Sequence, residues 1–211
     1  NYFGLKTSSW FSAIGVTCGT IAPGVLLIVL GVVWVASGNP MQIEFSKSAL
    51  IPPMHDIQNL VFLTGLFLAF GGLEVSAAHA REVENPQKNF PRSILIAGVV
   101  SLLLYSAGAL AIAIMIPKEK ISLVSCLMEA FTLFLGHFHL SWLIIPLGLM
   151  IVLGAVGELN AWIIGPIRSM HSTSKHGDLP PFFQKLNKHG MPAHLLLFQG
   201  AVVTIACFVF L

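Results

Sequence analysis

The sequence predicts an all-α, polytopic transmembrane helical bundle, and three observations carry that expectation. Hydrophobic residues fill 55% of the 211 positions and charged residues only 9%, where a soluble domain carries about 25% charge. The mean hydropathy is +0.84. The apolar residues gather in long runs between short polar loops, each run approaching the roughly 20 residues a helix needs to cross about 30 Å of hydrocarbon. The alternation of a membrane β-barrel, in segments of about 10 residues, is absent. Open strands would leave backbone polar groups unsatisfied in lipid. The net charge of +2, with no basic stripe, argues against a nucleic-acid partner.

Five runs are expected to span. The first covers about 10–36, "WFSAIGVTCGTIAPGVLLIVLGVVWVA", with Pro23 read as a kink. The second, about 57–80, contains "LAFGGLEVSAAHA". The third covers about 93–116. The fourth, about 140–167, contains Pro146, again read as a kink. The fifth begins near His194 and continues to the last residue, so the chain reads as an internal piece of one longer transmembrane domain, residues 1–211, whose remaining helices would be its partners. The stretch about 122–136 is too short to span comfortably. Val124, Leu127, Met128, Phe131, Phe134 and Leu135 recur there at helical spacing, which predicts an amphipathic helix at the membrane surface.

Lys and Arg fix the sidedness. Eight fall in the N-terminal end and in loops 81–92 and 168–193, against three (Lys47, Lys118, Lys120) in the other loops. Loops 81–92 and 168–193 are therefore expected to be cytoplasmic. Trp10, Trp34 and Trp142 near helix ends fit interfacial belts.

Ionisable groups within spans cost about 2.5–3.5 kcal/mol on insertion scales and usually face a cavity. Two stand out, Glu74 and Glu158. Glu74 follows Phe70-Gly71-Gly72-Leu73. Paired glycines weaken a helix. They either let the backbone unwind, as in the discontinuous helices of transporters, or permit close helix packing. Glu74 itself faces either a cavity or the nearby water interface. Glu158 lies deeper, in "GAVGELNAWIIGP", and shares a helix face with Trp162 four residues on. A carboxylate beside an aromatic ring suits an ammonium group, by charge and by cation–π attraction.

No cofactor or metal is expected. Cys18, Cys126 and Cys207 are scattered in apolar runs, no HExxH is present, and no GxxxxGK[ST] loop points to ATP. The histidines read as solvated loop and helix-end residues.

These residues together resemble the amino acid–polyamine–organocation superfamily. Phe70, Gly72 and Glu74 match F-x-G-x-E of its sixth helix. Glu82, Asn85, Pro86, Lys88 and Pro91 match the E-x-x-N-P-x-[KR]-x-x-P that follows. Arg168, Gly177, Leu179, Pro180, Asn187, Gly190 and Pro192 fit the loop after helix eight, and "GELNAWIIGPIR" looks closest to bacterial glutamate/γ-aminobutyrate antiporters. The sequence departs from many relatives in having Leu68 and Ala69, not an aromatic, before the motif.

The resemblance implies part of a LeuT-like inverted-repeat fold, helices five to nine of about twelve. It implies a secondary active amino-acid transporter of a bacterial inner membrane and not an enzyme. Such a protein would exchange glutamate for γ-aminobutyrate by alternating access and serve acid resistance. Its partners would be the amino-acid substrate, protons and the lipid bilayer. By the same resemblance Phe70, Gly71, Gly72 and Leu73 would bind substrate through their backbone, Glu158 and Trp162 would complete the substrate site, and Glu74 with Glu158 would serve proton coupling or gating. An antiporter or symporter for another amino acid or polyamine is the alternative. A membrane enzyme would need a nucleophile or metal cluster, which the sequence lacks, and a mere anchor gives no reason for Glu158 and Asn160 in mid-span.

Overall fold

In a computed structural model, residues 2, 4–43, 63–65, 67, 70–72, 75–77, 83–117 and 126–210 are described, and among them there is no strand. Among the described residues, three helical stretches are long and apolar enough to cross a membrane: Lys6–Ala36, Pro86–Met115 and Ser141–Lys175. Of the expected second span only a few residues lie within the described set.

The first span is built from helix α1 (Leu5–Val16), a π-helical turn (Thr17–Ile21) and helix α2 (Ala22–Ala36). Pro23 explains the π turn. It has no N–H to donate, and its ring crowds the carbonyl four residues back, that of Gly19. The chain widens before it, so that the Ala22 N–H reaches Thr17 O. What the sequence suggested as a kink is thus one extra residue wound into the helix, a device frequent at functional sites. Pro146, also read as a kink, sits differently. It lies in the first turn of helix α5 (Ile144–Lys175), where a missing N–H is tolerated.

Helix α3 (Pro86–Met115) starts earlier than hydrophobicity suggests. Asn85 adopts a left-handed conformation (φ 48) and its carbonyl accepts from Lys88 and Asn89 N–H. Pro86 then takes the first helical position, where its fixed φ suits the helix. Residues 86–92, expected as loop, are therefore its opening turns. Thirty residues make about 45 Å of helix against about 30 Å of hydrocarbon. Lys88 and Arg92 can stay in the aqueous layer while helical. Helix α5 likewise runs past 167 to Lys175, carrying Arg168 with it.

Helix α4 (Cys126–His137) departs most from expectation. Its apolar face meets protein. Phe131, Phe134 and Leu135 are fully buried, in one cluster with Leu27, Leu30, Ala111, Ile116 and Leu147. Trp34 joins that cluster and leaves the interfacial role expected for it. It meets Phe134 edge-on at 5.8 Å between ring centroids, and its indole N–H donates to Pro40 O at 3.1 Å, giving the buried polar tip a partner. Trp10 and Trp142 remain exposed.

Helix α6 (Ala193–Phe210) follows an ordered loop. The Asn187 side chain accepts from His189 and Met191 N–H and donates to Tyr2 O. Gln184 donates to Ser174 O. Phe183 packs with Ile167 and Leu195. The loop residues singled out by pattern, Asn187 and Gly190 (φ +72) among them, are those that close this turn.

Candidate functional site

The backbone departs from helix at the glycine pair. Residues 63–65 and 67 are helical, residues 70–72 form a turn, and residues 75–77 wind as a 3-10 turn. Phe70 N–H donates to Phe67 O at 3.2 Å and Val75 N–H to Gly72 O at 3.1 Å. Gly72 has φ +100, and a Cβ there would sit 2.9 Å from Cζ2 of Trp162. Conformation and space both demand glycine. Between the two readings of the pair, the described backbone has the turn of the first and, at Gly72, the close approach of the second.

Two helices hold the turn. On α3, Tyr105 meets the Phe70 ring at 5.5 Å and 67°. On α5, Trp162 and Gly165, on one face with Glu158, lie along it. Trp162 covers Gly72, and Val75 presses on Gly165, where a Cβ would find no room. Leu73 and Glu74 lie outside the described residues.

Glu158 begins that face of α5, and the first span reaches it. Thr20, in the π turn, donates through its hydroxyl to Glu158 Oε1 at 2.9 Å. The two helices approach closely because glycine meets glycine. A Cβ on Gly19 would run into the backbone of Gly154, and one on Gly15 would lie 2.9 Å from Gly157. Small residues let helix backbones meet in this way within lipid. Polar contacts lock the seam further along. Ser12 Oγ donates to Gly157 O at 3.0 Å. Asn160 Nδ2 donates to Ser8 O at 3.0 Å, and to Ser8 Oγ and Ser12 Oγ at 2.8 Å each. Asn160 is thus a helix-to-helix tie.

The structure therefore brings Phe70, Gly71, Gly72 and Trp162 together, and places Glu158 one helical turn from Trp162. Glu158 is exposed and Trp162 half exposed (53%) among the described residues. Sequence reasoning missed Tyr105, Ser8, Ser12 and Thr20. A signal for the seam was present: Ser8, Ser12, Gly15 and Gly19 recur at spacings of four, three and four, one face of a helix. Tyr105 had no such signal, lying in an unbroken apolar run.

Comparison with known proteins identifies the family. The amino acid permease family matches residues 1–211. The chain is 35% identical over its full length to an uncharacterized transporter of Legionella pneumophila, covering 45% of that protein. It is 34% identical over 90% of its length to a glutamate/gamma-aminobutyrate antiporter of Lactococcus lactis, covering 38% of it. A probable agmatine/putrescine antiporter of the same species is 30% identical over 76% of the chain, which covers 34% of that relative. The chain thus spans less than half the length of these curated relatives. Matched along all its residues, it belongs to the amino acid permease family, within the amino acid–polyamine–organocation superfamily.

Proposed function

We propose that this chain is part of a secondary active amino-acid transporter that exchanges glutamate for γ-aminobutyrate by alternating access across a bacterial inner membrane. The observation that carries the reading is the α5 face. It carries the Trp162 ring against a turn at Phe70–Gly72 and the Glu158 carboxylate one helical turn away from that ring. Both substrates carry an ammonium group. A carboxylate attracts it by charge and an indole face by cation–π attraction. Where the chain leaves the helix, the turn is proposed to present its backbone to the substrate's carboxylate and amine, as discontinuous transporter helices do. Leu73, next in the chain, is proposed to add its backbone to the same site. Glu74 and Glu158, the two carboxyl groups within the expected spans, are proposed to serve proton coupling or gating. Glutamate decarboxylation consumes a cytoplasmic proton, so exchanging the product for fresh glutamate would serve acid resistance. The name of the Lactococcus relative supports this substrate pair.

Exchange of agmatine for putrescine is the second reading, carried by the other antiporter relative. The test loads proteoliposomes bearing the full-length protein with γ-aminobutyrate, putrescine or buffer and follows uptake of labelled glutamate and labelled agmatine. Glutamate uptake dependent on internal γ-aminobutyrate is the expected result. Agmatine uptake driven by putrescine, with no glutamate uptake, would replace the first reading by the second.

A further inference from the structure

We propose that Thr20 is a positioning residue for the substrate site, its hydroxyl holding the Glu158 carboxylate in the orientation that meets the substrate's ammonium group. The inference rests on the reading of Glu158 as a substrate-binding group. Three observations carry it. First, Thr20 does not make the bond usual for threonine in a helix. Thr132, Thr173 and Thr204 each donate to the carbonyl four residues back, the habitual partner of a helical hydroxyl. Thr20 instead crosses to α5 and donates to Glu158 Oε1 at 2.9 Å. Second, the local helix is π-wound at this point, Thr17–Ile21. The extra residue in the turn changes which side chains face α5, and Thr20 is among the five that form it. Third, the backbones here are set by contacts with no slack, Gly19 on Gly154 and Gly15 on Gly157. A donor and acceptor carried on such a seam keep their geometry.

Glu158 alone has a long, rotatable side chain on an exposed part of α5. Tied by Oε1, it loses that freedom before substrate arrives, which lowers the ordering cost of binding. Oε2 is left, among the described residues, to accept from an ammonium N–H.

The test compares Thr20→Val, which keeps the shape and removes the donor, with Thr20→Ser, which keeps the donor. Both are made in the full-length protein and, alongside Glu158→Gln alone, in the Glu158→Ala background, where no acceptor for the hydroxyl remains, and labelled glutamate uptake is measured in proteoliposomes. Thr20→Val is expected to raise the half-saturating glutamate concentration about tenfold, the effect of one charge-assisted hydrogen bond, with the maximal rate much less changed. Thr20→Ser is expected to restore it, and Thr20→Val to add nothing in the Glu158→Ala background. If Thr20→Val does not reach the membrane, Thr20→Ala carries the same comparison. The proposal is overturned if the hydroxyl-free variant leaves half-saturation unchanged while Glu158→Gln alters it, if Thr20→Ser behaves like Thr20→Val, or if the two sites act additively. Unchanged half-saturation in Glu158→Gln itself would instead remove Glu158 from the substrate site.

Discussion

Gly72 shows how a single residue can be both visible and opaque in a sequence. The Gly71-Gly72 pair announces a weak point in an apolar run. Nothing local announces that the second glycine adopts φ +100 against the ring of Trp162, ninety positions away. Alanine at 72 would combine a strained conformation, about 1–3 kcal/mol, with a clash. We expect Gly72→Ala to slow glutamate exchange at least about tenfold, while Gly98→Ala, with nothing within 4 Å of its Cβ, leaves the rate as it is. The uptake assay in proteoliposomes checks both. Glu158 and Trp162 were legible because a carboxylate and an indole four apart in an aliphatic helix are conspicuous. Tyr105 and Thr20 were not, because a hydroxyl in an apolar helix gains meaning only from what lies opposite it.

Helix boundaries follow hydrogen bonding, whereas hydropathy follows the membrane. The two diverge at α3 and α5, whose first and last turns carry Lys88, Arg92, Arg168 and Lys175 while remaining helical. The existence of these spans was legible and their ends were not. Helix α4 makes the complementary point. Its 3.6-residue periodicity identifies an apolar face, yet periodicity does not distinguish lipid from protein as the surface that face meets. Here it is Trp34 and Leu147. Phe134→Ala is expected to destabilise the protein by about 3–5 kcal/mol, read as a lowered melting temperature of the detergent-purified protein. The α1–α5 seam gives a second check on the same instrument. A Cβ on Gly19 would enter the backbone of Gly154, so Gly19→Ala is expected to cost about 1–3 kcal/mol through overpacking. Gly108→Ala, unopposed on α3, is expected to be neutral or mildly stabilising, as replacing a helical glycine usually is.

The molecule as a whole presents much of its apolar surface outward. Leu95, Ile96, Leu102 and Leu103 on α3 and Ile145, Leu149 and Val152 on α5 are exposed. In water such a surface would drive aggregation, but in a bilayer it meets acyl chains or neighbouring helices at no such cost. The sidedness read from Lys and Arg makes a direct prediction. With Cys18, Cys126 and Cys207 replaced by serine, a cysteine at Asp178 should be labelled by a membrane-impermeant maleimide only after the cytoplasmic face is opened. One at Ser37 should label in intact cells. The reverse pattern would invert the topology. We propose that substrate and proton act at the α5 face of Glu158 and Trp162, opposite the Gly72 turn. This is tested most directly by Glu158→Gln in the full-length protein, with glutamate/γ-aminobutyrate exchange followed in proteoliposomes from acidic to neutral pH. Exchange that is weaker and less dependent on pH is the expected result; a rate and pH profile identical to those of the unaltered protein would contradict it.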